Sequence, residues 1–324
     1  MRIPNKEIRS ILIIKNDKIG DLVLSTCIFR ELKKFFPQSK ITVIASNCNA
    51  SLIQENPHIN EIIIRDYPPK GFSGLLDYYK LSKKIKKQKF DLGIDLRGSI
   101  FNIFFFLALA KVKYKIGFYN RSLSKFLLDF AYKKDRENSH VTFQRINLIN
   151  KALNLNAKND WPDIHTSLSD KKETEEFIKK YKLRKFISIL PDASLEKKQW
   201  PMQNWDALIK HIQRKYPRYQ ILLLGMDNSK LEKLKKNNLN VILPNSPLSL
   251  RYLYLLFQRS ILTICHDGGP MHLAWAGKSK LLALMDENLP VDYVKPLGKN
   301  SQFIKTDIKT LKLGEVIKKV DSIL

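Results

Sequence analysis

The amino-acid sequence predicts an α/β protein made of two nucleotide-fold domains that face each other with a site between them. Two distant segments carry that prediction. One is Ile11-Leu-Ile-Ile-Lys-Asn-Asp-Lys-Ile-Gly20-Asp21-Leu-Val-Leu-Ser, and the other is Leu262-Thr-Ile-Cys-His-Asp267-Gly268-Gly269-Pro270-Met271-His272-Leu-Ala-Trp-Ala. Each reads as a buried strand, a tight glycine-containing turn and then a helix. Each sets an Asp and backbone N–H groups at a strand's carboxyl end, where open α/β sheets bind their ligands. A third observation is that strand and helix patterns alternate, break off in the polar stretch 154–169, and then resume.

The elements follow in order. Residues 8–15 are an apolar run too short for a lone helix. From Leu22 to Phe36, the positions 22, 23, 26, 29, 32 and 36, all apolar except Thr26, recur near the helical period, and Pro37 stops the pattern. Strands are expected at 41–45, 61–65 and 90–95, with a Lys-rich helical stretch between the last two. After the boundary they are expected at 186–190, 220–224, 261–265 and 280–284. Helices are expected after Trp205, Lys230, Leu250, His272 and Thr310. Such alternation means βαβ units and parallel sheets. The boundary divides the chain into 1–165 and 166–324.

Composition narrows the classes. The chain has 324 residues and an apolar fraction of 44%, ordinary for a globular protein. Three cysteines without metal-type spacing suit a reducing compartment. No apolar signal region opens the chain, so no secretory signal is expected. The run Ile100–Ala110 is shorter than a membrane span needs. It reads as a buried core helix or as a partly exposed helix that dips into a membrane surface. The net charge is +26, spread as 29 basic against 15 acidic residues over 1–165 and 28 against 16 over 166–324. So basic a surface favours anionic partners. The Lys-rich run 80–89 reads as a solvated helix face or as a phosphate or lipid patch.

Three constellations could carry chemistry. Asp21 is either a helix cap or a general base at a sheet's carboxyl edge. In Leu190-Pro-Asp-Ala-Ser194-Leu-Glu-Lys197-Lys198-Gln-Trp200-Pro201, a hydroxyl and a Lys four residues apart can grip phosphate oxygens and stabilise a phosphate leaving group. In 267–272, paired glycines and a helix start offer N–H groups to an anion, with Asp267 as a possible cap and His272 in the first helical turn. Neither a dinucleotide fingerprint nor a P-loop is present, and the six histidines are scattered, so no metal site and no cofactor are expected.

Taken in order, these segments resemble the heptosyltransferase family of lipopolysaccharide synthesis, glycosyltransferase family nine. The motifs are Lys15-Asn-Asp17-Lys18-Ile19-Gly20-Asp21, Phe36-Pro37, Asp91-Leu-Gly-Ile-Asp95-Leu-Arg97-Gly98, Ile116-Gly-Phe118, Lys197-Lys198-Gln-Trp200-Pro201 and His266-Asp267-Gly268-Gly269-Pro270-Met271-His272-Leu273-Ala274. The resemblance implies the GT-B type of fold, two Rossmann-like domains facing each other across a cleft. An acceptor would bind residues 1–165, at Lys18, Gly20 and Arg97, and a nucleotide sugar would bind residues 166–324. The resemblance further implies Asp21 and Lys198 as catalytic residues. Ser194, Asp267, Gly268, Gly269 and His272 would contact the donor diphosphate, and Asp227 the ribose. Gly268 stands where the family usually has Ser or Thr, and Asp192-Ala193-Ser194 is not the commonest form of its loop.

The expected function is therefore an inverting, metal-independent glycosyltransferase. Its expected donor is a nucleotide-diphosphate sugar, ADP-heptose. Its expected acceptor is an anionic lipid-linked glycan of the lipopolysaccharide core, met at the cytoplasmic face of the inner membrane through peripheral contact with anionic lipid. Two alternatives remain. A basic nucleic-acid-binding protein fits the charge, although no recognition motif stands out and nucleic acid is not the expected partner. A catalytically silent scaffold is argued against by the retained Asp21.

Overall fold

The computed structural model describes residue 3 and residues 7–66, 71–120, 122–193, 195–238, 240–288 and 290–324, with backbone alone at 71–73, 122 and 197. The chain divides into two compact units, Met1–His165 and Thr166–Leu324. The first holds strands β1 (Ser10–Lys15), β2 (Lys40–Ser46), β3 (Glu61–Arg65), β4 (Leu92–Asp95), β5 (Tyr114–Tyr119) and β6 (Phe130–Lys133), in the spatial order β3-β2-β1-β4-β5-β6. The second holds β7 (Phe186–Leu190), β8 (Gln220–Leu223), β9 (Val241–Ile242), β10 (Leu262–His266), β11 (Leu281–Asp286) and β12 (Ser301–Thr306), in the order β12-β11-β10-β7-β8-β9. Among the described residues every strand pair is parallel.

Counted within its own unit, each sheet has the doubly wound order 3-2-1-4-5-6. The direction of winding reverses between β1 and β4 in the first and between β7 and β10 in the second. Loops leaving the two strands at a reversal diverge and open a crevice at the carboxyl edge.

Parallel strands covered on both faces should be apolar along their buried length, and β1 is so from Ile11 to Ile14, between the polar ends Ser10 and Lys15. Ile11 and Ile13 enter the core that includes Phe29 and Leu32 of helix Thr26–Phe35 and Ile146 and Ile149 of helix Val141–Leu153. Leu12 and Ile14 enter the opposite core, with Tyr78 and Ile85 of helix Gly71–Gln88 and with Ile103, Phe106 and Leu107. In the second unit, Ile187, Ile189, Leu262, Ile264, Leu282 and Leu284 pack against Trp205, Leu208 and Ile212 of helix Met202–Lys215 and Val316 and Val320 of helix Leu313–Ile323.

The strands read from the sequence are present with ends shifted by no more than two residues. Not picked out as strands were β5, β6, β9 and β12. Three of these lie at sheet edges, where one flank meets solvent and the all-apolar signature fades. The continuous helix read over 22–36 is two helices, Ile19–Val23 and Thr26–Phe35. At the break the Ser25 hydroxyl donates to the Asp21 carbonyl at 2.8 Å and the Thr26 hydroxyl to the Val23 carbonyl at 2.8 Å. These bonds compete with the helical ladder.

The run 100–110 also departs from a plain core helix. After a short turn at Ile100–Asn102, Ile103–Leu109 is wound as a π-helix, and the Val112 N–H closes on the Leu107 carbonyl at 3.0 Å, five residues back. The wider turn buries Ile103, Phe106 and Leu107 but leaves Phe101 and Phe104 exposed.

Gly117 of β5 makes a close approach that only glycine permits. A Cβ there would lie 2.9 Å from the Asp95 backbone carbonyl of the neighbouring strand. Gly117→Ala is expected to lower stability by about 1–3 kcal/mol, the usual cost of overpacking a rigid core. Denaturant midpoints with unchanged slope would report it; a midpoint equal to wild type would mean that the sheet opens there without cost.

Candidate functional site

At the first reversal, β1 runs directly into the turn that carries Asp21. Lys18 is the N-cap residue of the short helix, without a side-chain capping bond, and Asp21 lies in its first turn. Asp21 is therefore not the cap that the sequence allowed. Its carboxylate is 46% exposed, with Oδ1 3.6 Å from the Lys15 ammonium and 3.9 Å from the Arg145 guanidinium, both almost fully buried. Lys15 also binds Asp17 Oδ2 at 2.6 Å. Gly20 is buried beneath the turn, and Lys18 is exposed.

Across the reversal, buried Asp95 ends β4. Its Oδ2 accepts from the Gly98 and Ser99 N–H groups at 2.5 and 3.1 Å, and its Oδ1 from Asn102 at 3.3 Å. Burial raises its pKa, against the pull of these bonds. The turn so formed holds Arg97 half-buried, and the Lys134 ammonium donates to the Arg97 carbonyl.

Lys15, Lys134 and Arg145 make a cluster of cations at this edge that sequence reading missed. Lys15 is the last residue of a strand, where it reads as an end marker. Lys134 and Arg145 are far away in the chain, and only the β5–β6 crossover and helix 141–153 bring them in. The buried Nε and Nη1 of Arg145 have no hydrogen-bond partner. A buried guanidinium with unmade bonds carries a substantial desolvation cost, which an anionic ligand would relieve. At Asp21 itself the structure brings Lys15 and Arg145 together; Lys18, Gly20 and Arg97 stand on the two loops that flank the reversal.

At the second reversal, the loop after β7 and the turn after β10 are joined by an ion pair between Lys198 and Asp267, both mostly buried. Asp267 does not cap the following helix; Gly268 occupies the cap position of helix Gly269–Ala276. The carboxylate takes one of the three ammonium donors of Lys198. It thus holds the Lys head at the mouth of that helix, where backbone N–H groups are free of intrahelical partners. His272 lies in the first turn, buried. His266 braces the loop: its Nε2 accepts from the Trp200 N–H at 2.9 Å. Burial pulls the imidazole down to about 4, so it is neutral near neutral pH and acts as an acceptor.

The third loop of this edge follows β8. Asp227 caps helix Asn228–Asn237, accepting from the Lys230 N–H at 3.3 Å and the Ser229 hydroxyl at 2.7 Å, and its other oxygen pairs with Lys230 at 3.3 Å. The Ser229 bond is the main cause of its lowered pKa. Lys230 also donates to Gln199 Oε1 at 2.9 Å, next to Lys198. Asp192 Oδ2 accepts from the Met226 and Asp227 N–H groups at 2.6 and 3.0 Å. That approach requires Gly225, where a Cβ would fall 2.6 Å from the Asp192 carboxylate. Asp192, Gly225 and Lys230 were not among the residues predicted; their role shows only once β7 and β8 are neighbours. Ser194 lies outside the described residues.

Among the described residues one group has metal-ligand geometry: His58, Asp163 and His165. Their Asp163 Oδ2 is 3.0 Å from His165 Nε2 and 3.4 Å from His58 Nε2, while Arg30 sits 3.4 Å from Oδ1 and already supplies a positive charge. None of the predicted site residues belongs to it.

A family model, glycosyltransferase family 9 (heptosyltransferase), matches residues 78–319. The chain belongs to that family. It is a glycosyltransferase. Among family 9 relatives, the lipooligosaccharide heptosyltransferase 2 of Haemophilus ducreyi is 26% identical over 319 residues, covering 91% of this chain and 88% of the relative. A family 9 glycosyltransferase from Veillonella parvula superposes with a TM-score of 0.84 at 18% identity, over 100% of this chain and 98% of the other. The Escherichia coli heptosyltransferase WaaC, solved with ADP, gives a TM-score of 0.77 at 14% identity, over 97% and 100%. These superpositions establish the GT-B type of fold for this family 9 chain.

The family 9 departure at Gly268 has a structural reading. The backbone there is extended, with φ 166°, and an added Cβ would meet only Pro270 Cδ at 3.8 Å. The turn has room for the hydroxyl residue that it lacks.

The cation cluster has a measurable signature. Burial first, and then repulsion from nearby Lys15, lowers Lys134 to about 8 from 10.5. Between these two values the folded state holds fewer protons than the unfolded chain, so stability rises with pH across the window, and below it the charged Lys134 opposes folding in full. Lys134→Met is therefore expected to melt higher than wild type near neutral pH, with the difference shrinking as pH approaches 10.5. A difference that stays constant across the window in calorimetric scans would contradict the burial and crowding of this ammonium.

Proposed function

We propose that this glycosyltransferase moves a heptose from ADP-heptose to an anionic, lipid-linked glycan of the lipopolysaccharide core, by a single displacement that inverts the anomeric centre. The observation that supports the proposal most is that each unit carries one half of the chemistry at its own sheet's reversal: a half-exposed carboxylate, Asp21, in the first, and a Lys held at a helix mouth, Lys198, in the second. Support for the sugar and nucleotide comes from relatives named as heptosyltransferases and from the ADP held by one structural neighbour.

In this reading, Asp21 takes the proton of the acceptor hydroxyl as its oxygen attacks the anomeric carbon. Lys15 and Arg145 steady the carboxylate. The spare donors of Arg145, with Lys134, Lys18 and Arg97, receive the acceptor's negative groups. On the donor side, the bond from the anomeric carbon to the diphosphate breaks and charge grows on the leaving oxygen. Lys198 and the N–H groups at Gly269 and beyond meet that charge. Ser194 and His272 complete the diphosphate contacts. Asp267 acts mainly by orienting Lys198, because a carboxylate facing a diphosphate directly would repel it. Asp227 offers its remaining lone pairs to the ribose.

Two variants separate the roles. Asp21→Asn is expected to keep ADP affinity and lose about 10²–10⁴-fold in turnover, the span of general-base catalysis. Lys198→Ala is expected to weaken ADP binding by about 10–100-fold, the equivalent of 1.5–3 kcal/mol for a charge-assisted bond, and to lower turnover as well. Calorimetry with ADP and single-turnover kinetics read both. Turnover of Asp21→Asn within a few-fold of wild type would remove Asp21 from the base role.

Because cationic groups stand where a metal would otherwise neutralise the diphosphate, transfer is expected to proceed undiminished in EDTA. Activity abolished by chelator and restored by Mg²⁺ or Mn²⁺ would refute metal independence. The place of action in this proposal is the cytoplasmic face of the inner membrane, where a lipid-linked acceptor is within reach.

A further inference from the structure

Large apolar side chains left in water gather at one edge of the first unit. The segments that leave the carboxyl ends of β3, β4 and β5 each carry some. Leu75 and Tyr79 lie in the opening turns of helix Gly71–Gln88, Phe101 and Phe104 on the segment after β4, and Leu123 and Phe126 on helix Ser122–Phe126 after β5. Phe101 is 52% exposed, Leu123 68% and Phe126 83%. The first two segments pack side by side, since the Tyr78 ring lies 5.8 Å from Phe101 and 5.2 Å from Phe105. Scattered exposed apolar residues need no explanation, but aromatics grouped on three successive crossovers at one edge do.

The charge around them selects the occupant. Between Asp95 and Asp129 the chain has no acidic residue, yet it has six Lys and Arg. Helix Gly71–Gln88 adds five Lys against one Asp. Lys83 lies over the Tyr79 ring at 4.5 Å, and exposed Lys125 stands between Leu123 and Phe126. Aromatic and aliphatic tips ringed by Lys are the chemistry of an interface with anionic lipid, where apolar groups enter the headgroup boundary and nearby cations are drawn to the lipid charge. No helix among the described residues is long and apolar enough to cross a membrane.

We infer that the edge formed by the openings of helix 71–88, segment 100–109 and helix 122–126 is a docking surface for an anionic bilayer, with Phe101, Phe104, Leu123 and Phe126 entering the headgroup region. It extends the reading above, because a lipid-linked acceptor has to be met where it is anchored. The surface lies on the same sheet edge as Asp21, so docking brings the catalytic turn towards the bilayer.

The test is co-sedimentation of the full chain with phosphatidylcholine vesicles, with and without phosphatidylglycerol, at low and high salt. Wild type is expected to bind the anionic vesicles, with a fraction that survives high salt. Phe101→Ser, Phe104→Ser, Leu123→Ser and Phe126→Ser combined should lose the salt-resistant fraction and partition at least about tenfold less, because four apolar side chains no longer enter the headgroup region. Lys83→Gln with Lys125→Gln should instead reduce only the salt-sensitive part. Melting temperature and calorimetric ADP affinity serve as controls for folding. Wild-type partitioning by the fourfold variant overturns the surface. So does a wild type that ignores anionic vesicles and self-associates through these residues, as light scattering would reveal. Turnover on a soluble, delipidated acceptor fragment is independent of both outcomes, so loss of that activity would count against the transfer reading and leave the surface standing.

Discussion

Parallel pairing of all the described strands is the constraint from which the rest of this structure follows. A parallel strand must be reached by a crossover, and crossovers put helices on both faces, so the strand interiors are mostly apolar and leave little room for polar chemistry along their length. Polar groups are pushed to the strand ends. Where the winding reverses, between β1 and β4 and between β7 and β10, neighbouring loops part and open a crevice. Asp21 and Arg97 flank the first reversal, and Lys198 and Asp267 flank the second. The same architecture is used twice with opposite emphasis: the first edge holds a carboxylate among cations, and the second a cation and helix N–H groups braced by a carboxylate.

Charge at these edges is arranged rather than merely abundant. Most of the basic excess is solvated, as on helix 71–88, and changes little by itself. A few cations are taken out of water, and these are the informative ones. Lys15 and Arg145 are buried beside Asp21, Lys134 is pressed against the Arg97 carbonyl, and Lys198 is held by Asp267. Partners that only partly satisfy them make the edge receptive to anions. The neutral His266 contributes differently: it ties Trp200 to the end of β10 and thereby sets the path of the Lys198 loop.

Much of this was legible in the sequence because its cause is local. The apolar run 11–14, the turn at Gly20-Asp21 and the Gly268-Gly269-Pro270 helix start each depend on residues a few positions apart. The edge strands β6, β9 and β12 escaped notice because solvent on one flank removes the uninterrupted apolar signature. The helix break at Leu24-Ser25 escaped because hydroxyl groups that bond backwards leave the apolar spacing intact.

The sequence by itself determined two α/β halves, their boundary motifs and the Asp and Lys types at the strand ends, since periodicity and turn chemistry are properties of short segments. Only the tertiary structure decided which distant groups meet. Arg145 reaches Asp21 across 124 positions of chain and Lys198 reaches Asp267 across 69; Asp192 enters the turn after β8 only because Gly225 leaves it space. The three apolar crossovers likewise become one edge only when β3, β4 and β5 are wound into the same sheet. Strand order, which no local pattern encodes, is the physical reason: it chooses neighbours among loops that are otherwise strangers in sequence.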